Sequence, residues 1–407
     1  MPMIIRTSRP GEEDALADVA SRAFKLTDPE AFLRYFHEHT ARGPADTVVA
    51  EVDGEIVGHV TGLRLEMRFR GVDLPVRGLS AVAVLPEHRQ TGIADRLINE
   101  HLRRLRSRAV PLSLLYPFSV PFYQKHGWGV VEWIDAVRVR PRALPASPLR
   151  RGVRRLELPR DQAAQRAIYD AARRRSNGFL RRDDFWWQRR VLPRAPERVL
   201  YTDPERGPEG YLLYDVPAQP PFPGQHFLVR ELAAATPAAL QALVGFLQSL
   251  GDQFQLVELL LPRGSAISLL PSPALITADR HEIFLPTAAT LSGAMARLVD
   301  VPAALALHPA TGGARGRIGL DVIEPGASRL RPFDVTLSAR GARAVAGARH
   351  RDRLALPLDR LAQVYFAAAS ATSLVEHGHA TGAPRAAELL DQAFAGPPLF
   401  LSRLNLF

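Results

Sequence analysis

The segment from Leu79 to Tyr116 constrains the fold more than any other part of the chain. Leu79–Leu85 is an apolar run of strand length closed by Pro86. Ile93–Arg106 then changes to helical period, with Ile93, Leu97, Ile98, Leu102 and Leu105 on one face, and Val110–Tyr116 returns to strand. A strand, a helix and a strand in immediate succession place this region in a mixed α/β domain. Its surroundings agree. Met3–Arg6 reads as a strand and Gly11–Phe24 as a helix whose first turn carries Glu12, Glu13 and Asp14, the sign that suits a helix N-terminus. Thr47–Val52 and Glu55–Glu66 flank Asp53-Gly54, a hairpin signal. Val120–His126 predicts a short helix, and Val130–Val139 a closing strand.

Beyond this domain, Pro141–Pro148 is rich in Pro, Ala and Ser and reads as a linker. Residues 155–290 again mix helices and strands. Phe227–Leu232 predicts a strand, Thr236 caps a helix with Pro237 at its first position, Ala238–Leu250 continues it, and Leu256–Leu261 is a second apolar strand. From Leu291 the texture changes to a helix around Ala294–Val299, strands through Ile318–Leu337 and an Ala-rich helix over Asp359–Ser370. The chain stops on an apolar stretch, Pro398–Phe407, which is expected to dock because a free end normally stays polar. These shifts divide the chain into segments 1–145, 146–290 and 291–407.

Composition removes several alternatives. A length of 407 residues fits two to three domains, and 46% hydrophobic with 23% charged residues excludes a mostly disordered chain. No run approaches the roughly 18 apolar residues of a membrane span, and the N-terminus turns polar at Arg6, so neither membrane insertion nor export is expected and the expected compartment is the cytoplasm. There is no cysteine, hence no disulfide, thiolate metal site or cysteine acyl-enzyme. The net charge of +10 is spread as +3, +3 and +4 over residues 1–150, 151–290 and 291–407. Without a basic arm it gives no nucleic-acid footprint. No Ser-His-Asp order or metal-ligand cluster is visible, so no metal is expected.

The chemistry-bearing segment is Arg89-x-x-Gly92-x-Ala94, set on the turn between an apolar strand and an amphipathic helix. Glycine there lets the backbone approach a ligand, and the unpaired N–H groups and dipole of the helix start favour an anion such as a pyrophosphate. About thirty residues on comes Pro121-Phe122-Tyr123-Gln124-Lys125-His126-Gly127-Trp128. The order and spacing of the two motifs resemble the GNAT superfamily of acyl-CoA N-acyltransferases over residues 1–140. With three segments of this size and Leu79-Ser80-Ala-Val82-Ala-Val84 before the turn, the whole chain resembles the Eis (enhanced intracellular survival) family.

That resemblance implies two GNAT-like domains in tandem, the second degenerate, and a C-terminal sterol-carrier-like domain. Thr236-Pro237-Ala238 in the second segment indeed shows no Arg-x-x-Gly turn. It also implies acetyl-CoA as co-substrate, with Val82 and Val84 presenting backbone groups to the pantetheine arm and acetyl carbonyl. Arg89, Gln90, Gly92, Ile93 and Ala94 would wrap the pyrophosphate. Tyr123 is the implied general acid, and the C-terminal carboxylate, here that of Phe407, the implied base. Asp28 or Glu30 is the next candidate for the base. Leu406 departs from the acidic residue that mycobacterial members tend to carry there. His101, Trp186 and Trp187 read as structural. The expected activity is N-acetyl transfer to a primary amine (aminoglycoside, polyamine or lysine side chain) by direct attack, in a homo-oligomer that the family makes a hexamer. The rival is a non-catalytic acyl-CoA- or lipid-binding protein using its third domain.

Overall fold

The structure, a computed structural model, describes residues 3–25, 46–217, 225–251, 253–265, 288–309, 313–326 and 330–407; Asp28 and Glu30 lie outside the described residues. Numbering strands in chain order, the first sheet runs β1 (Met3–Thr7), β2 (Thr47–Val52), β3 (Glu55–Phe69), β4 (Val72–Val84), β5 (Leu112–Leu115), β14 (Met295–Leu298) and β6 (Gly129–Val130). The second runs β13 (Ala289–Ser292), β7 (Trp133–Val139), β12 (Leu256–Pro262), β11 (His226–Ala234), β10 (Gly207–Asp215), β9 (Glu197–Asp203) and β8 (Val153–Arg155). A third sheet of five strands orders β17 (Gly341–Ala346), β16 (Leu330–Ser338), β15 (Gly316–Ile323), β18 (Arg353–Pro357) and β19 (Thr381–Gly382). The class is mixed α/β, as the sequence implies.

The first two sheets have one topology and exchange a strand. In each, five strands follow chain order from one edge, the sixth place is filled by a strand from outside that run (β14 from segment 291–407, β7 from segment 1–145), and a short strand closes the far edge. β14 lies between β5 and β6, antiparallel to both, while β7 lies between β12 and β13, antiparallel to both. Bounds at 145 and 290 therefore cross the sheets. The expected strand Val130–Val139 breaks at Val131-Glu132, sending its two halves to different sheets. The expected helix at Ala294–Val299 is instead strand β14. All its residues are buried on both faces, Arg297 included, which hides the strand period: Ala294, Ala296 and Leu298 enter one core, Met295 and Val299 another.

Helices cover the sheets at the places the sequence predicts, except for the helix Gln162–Arg175, which the sequence reading does not place. We number α1 (Glu13–Phe24), α2 (Ile93–Ser107), α3 (Val120–Gln124), α4 (Gln162–Arg175) and α5 (Pro237–Ser249). α2 buries Ile93, Leu97, Ile98, Leu102 and Leu105 on the first sheet. α5 is capped by Thr236, whose hydroxyl accepts from the Ala239 N–H at 3.1 Å. The Pro141–Pro148 segment is no free linker: it forms short 3-10 turns, and Ser147 packs on Gly245 of α5. The Ala-rich helix stops at Tyr365, and a separate one spans Ala371–Glu376. Trp186, Trp187 and His101 are buried, and a Cβ on Gly62 would meet His101 at 2.8 Å, so all three are structural.

The apolar tail docks. Leu399, Leu401 and Leu404 are buried in the largest core cluster, which spans the second and third sheets and reaches the first. Polar anchors fix its path. Leu401 N–H donates to Glu132 at 2.7 Å, Ser402 Oγ to Glu231 at 2.8 Å, and Arg182 Nε to Asn405 at 2.8 Å. Glu231 and Arg182 are a fully buried pair at 2.6 Å, with Tyr211 donating to the same carboxylate at 2.7 Å. Satisfying every oxygen in this way is what lets such a pair persist in a core.

Candidate functional site

β4 and β5 run parallel but pair only at Arg77–Ser113 and Gly78–Leu114. Beyond Gly78, β4 continues to Val84 without β5 beside it, leaving an unpaired strand edge. The cause is local. Val60 of β3 faces two residues of β4, and Ala81 takes a left-handed φ of 48°, a bulge that turns the strand at this point. The turn that follows is also built on left-handed residues, Gln90 at φ 62° and Gly92 at φ 79°, and Gly92 is the N-cap of α2. No side chain caps that helix, so its first N–H groups face outward, and a Cβ at Gly92 would meet nothing within 4 Å.

A cleft of about 660 Å³ opens at this parting. Val82, Val84, Arg89, Gln90, Gly92, Ile93 and Ala94, every cofactor position read from the sequence, line it. Arg89 is held by its own hydrogen bond to the Ala23 carbonyl at 2.7 Å, at the end of α1. Ala23, Phe24, His88, Asp95, Phe118, Phe122 and Lys125 complete the lining; Phe122 and Lys125 fall in the second sequence motif, whereas Phe118, 71% exposed, carried no sequence signal. Lys125 bonds Asp95 at 2.6 Å and stands over the Phe122 ring at 4.6 Å. Asp95 also receives His126 at 2.8 Å; burial would raise this carboxyl, but the bonds from Lys125 and His126 outweigh it and hold the group below the usual range.

Tyr123 and Phe407 do not line this cleft. Tyr123 is buried one layer behind it, its ring edge-on to Phe118 at 5.4 Å, Phe122 at 5.1 Å and Trp128 at 6.4 Å. Burial pushes its hydroxyl well above the ordinary phenol range. The Phe407 ring lies where β4 and β5 part: a Cβ on Gly78 would meet it at 2.7 Å, and Tyr116 packs edge-on at 5.6 Å. Phe407 and Tyr123 thus touch opposite ends of one short segment, Tyr116–Phe118. Burial pushes Glu132 up to about 7, against the bonds it accepts from Leu401, Ala294 and Tyr116. This buried acid ties the tail to β14 and to Tyr116, and no sequence motif marks it. Among the described residues, no three His, Asp or Glu side chains gather to hold a metal ion, and no helix is long and apolar enough to cross a membrane.

Comparison with known proteins fits this geometry. Residues 4–131 and 178–297 each match an acetyltransferase (GNAT) domain family, and residues 301–402 a sterol carrier protein domain. The chain is 25% identical over 337 residues to an uncharacterized N-acetyltransferase of Streptomyces griseus, covering 76% of each chain. It is 28% identical over 277 residues to N-acetyltransferase Eis of Mycobacterium tuberculosis, covering 64% of this chain and 66% of that protein. Two solved structures share the fold over the full length of both chains: Eis1 from Mycobacterium abscessus (TM-score 0.78, 21% identity) and a GCN5-related N-acetyltransferase from Anabaena variabilis (TM-score 0.83, 19% identity).

Proposed function

We propose that this chain, a GNAT-type N-acetyltransferase of Eis-like construction, moves the acetyl group of acetyl-CoA to a primary amine by direct attack in a ternary complex. The observation that carries the reading is the convergence of Val82, Val84, Arg89, Gln90, Gly92, Ile93 and Ala94 on one cleft at the parting of β4 and β5. The N–H groups at the start of α2 hold the pyrophosphate, Arg89 adds charge, and the free edge of β4 runs beside the pantetheine arm. The catalytic unit is segment 1–145 completed by β14; segment 146–290 is a degenerate GNAT domain, and 291–407 is sterol-carrier-like.

The amine nitrogen attacks the thioester carbonyl carbon and forms the C–N bond. Collapse breaks the C–S bond, and the sulfur takes a proton from Tyr123. Tyr123 lies one layer behind the cleft and burial raises its hydroxyl, so transfer requires the leaving sulfur to come within reach of that hydroxyl and lower its value. The proton shed by the attacking nitrogen passes through water to the Phe407 carboxylate. A carboxylate is a weak base for a free ammonium, so it acts through water on the acidified intermediate. Docking of the apolar tail at the strand parting supports this assignment. The acceptor class is an aminoglycoside, a polyamine or a lysine side chain; the working form is a cytoplasmic homo-oligomer, a hexamer by resemblance.

The test has two parts. Acetyl-CoA should raise the melting temperature, and an amine library should reveal acceptors through release of free CoA thiol. Absence of both a thermal shift and thiol release with every amine would overturn the proposal.

A further inference from the structure

The second sheet repeats the parting of the first. β11 and β12 run parallel and pair only over His226–Leu228 and Leu256–Glu258, after which Val229–Ala234 continue without β12 beside them. A bulge stands at the same place, since Arg230 is an extra residue of β11 between the pairs made by Leu213 and Tyr214. A cleft of about 610 Å³ opens there. The last residues of α4, Arg174 and Arg175, line it as the last residues of α1 line the first cleft. What differs is the chemistry. The helix start that would serve as a phosphate cradle is closed off by the Thr236 cap and does not line the cavity. In its place stand six arginines, Arg70, Arg174, Arg175, Arg230, Arg263 and Arg403, against one acid, Glu231, already neutralised by Arg182.

Several of these arginines are committed elsewhere. Arg175 holds the Ala234 and Ala235 carbonyls, Arg230 bonds Asp215 at 2.7 Å, and Arg403 is 3.7 Å from Glu258. Arg174 and Arg263 have no acid partner among the described residues. The Nε–H groups of Arg70 and Arg230 are buried with no acceptor there. Arg70 donates to the Phe394 carbonyl and Arg230 to Asp215, so the head of a ligand falls to the two exposed arginines, Arg174 and Arg263. The floor of the cavity is apolar, formed by Val229, Leu259, Leu261 and Phe400.

We propose that the second GNAT domain, having lost its phosphate turn, keeps its cleft as a binding site for an anionic amphiphile. Its carboxylate or phosphate head meets Arg174 and Arg263, and its apolar body lies along β12 and Phe400. One wall of the site is the tail, Pro397–Arg403, which ends four residues later at Phe407. The ligand therefore rests against the segment that carries the C-terminus to the parting of β4 and β5.

The probe is cis-parinaric acid added to the full-length protein, followed by its fluorescence and by displacement with dodecyl phosphate or laurate. Saturable binding at one site per chain is expected, and the preferred displacer distinguishes a phosphate from a carboxylate head. Arg174→Ala with Arg263→Ala should weaken it by about tenfold or more, with acetyl-CoA affinity unchanged. Both side chains are exposed, so folding should be retained. Leu261→Glu provides a second variant acting on the apolar end. Absence of saturable binding, or binding that all these substitutions leave unaltered, would place the ligand elsewhere (in the sterol-carrier-like domain, for example) and overturn the proposal.

Discussion

At the scale of single residues, the turn before α2 is the part of the site most open to test. Gly92 sits at φ 79° with open space where a Cβ would go. Gly92→Asp therefore meets no steric clash, although it strains a left-handed backbone position, and it puts a side chain and a negative charge against the ligand. Calorimetry should show acetyl-CoA binding abolished while the protein still melts cooperatively; tight binding by the variant would remove the turn from the site. Tyr123→Phe keeps the edge-on packing with Phe118, Phe122 and Trp128 and removes only the hydroxyl. A general acid is worth about 10²–10⁴-fold, so kcat should fall by that order with little change in KM for acetyl-CoA; unchanged turnover would leave Tyr123 as a packing residue. Three buried histidines, His59, His101 and His308, are each pulled down to about 4 by desolvation. Their depressed values contribute stability that is present above pH 6.5 and lost as pH falls toward 4. By pH 5 that is roughly 2 kcal/mol each. Glu132, raised to about 7 by burial, works the other way and regains roughly 2 kcal/mol over the same fall. Urea melts should thus show the protein less stable at pH 5 than at pH 7, and equal midpoints would contradict it. The anion turn Arg89-x-x-Gly92-x-Ala94 was legible because a turn is a local object, and the family resemblance added the other cofactor positions that line the cleft. Phe24, Phe118 and Glu132 were not, because each acquires its role only when distant strands close around it.

At the scale of elements, the helices α2 and α5 were read and the strand β14 was not, for a physical reason. A helix on a sheet has one wet face, so α2 and α5 announce themselves by period and cap. β14 has no wet face, and nothing in Met295–Leu298 says that its neighbours on the two sides belong to different cores. The tail is the reverse case. Its apolar run told that it docks, not that Glu132, Glu231 and Arg182 would fix its path or that its last ring would rest on Gly78. That path makes the terminal carboxylate testable as a unit of the tail. Amidation of Phe407 by semisynthesis removes the charge and leaves every anchor in place. Acetyl-CoA affinity and melting temperature should stay as they are while kcat falls by about 100-fold or more, since a positioned group tolerates little. Full activity from pH 6 to 9 would place the base elsewhere.

At the scale of the whole molecule, the exchange of β7 and β14 decides what can fold alone. The domain families match residues 4–131 and 178–297 as consecutive stretches, yet neither stretch is a complete sheet. Residues 1–145 contain β7, whose partners β12 and β13 lie beyond residue 255, and lack β14, which bridges β5 and β6. Without β14 the sheet ends at β5, and β6, two residues long, loses its ladder. Met295, Leu298 and Val299 would also leave the cores they fill. At about 1.5–3 kcal/mol for each buried side chain of this size, the loss is roughly 5–9 kcal/mol, a large share of the ~5–15 kcal/mol that holds a whole domain together. The freed edge of β5 would further invite association. Residues 1–145 alone should therefore give no cooperative thermal transition. The same fragment joined through a Gly/Ser linker to residues 291–300 should regain one, together with a shift on adding acetyl-CoA. A sharp transition in the fragment without β14 would show that the exchanged strand is dispensable, and that the two GNAT units fold independently before they trade strands.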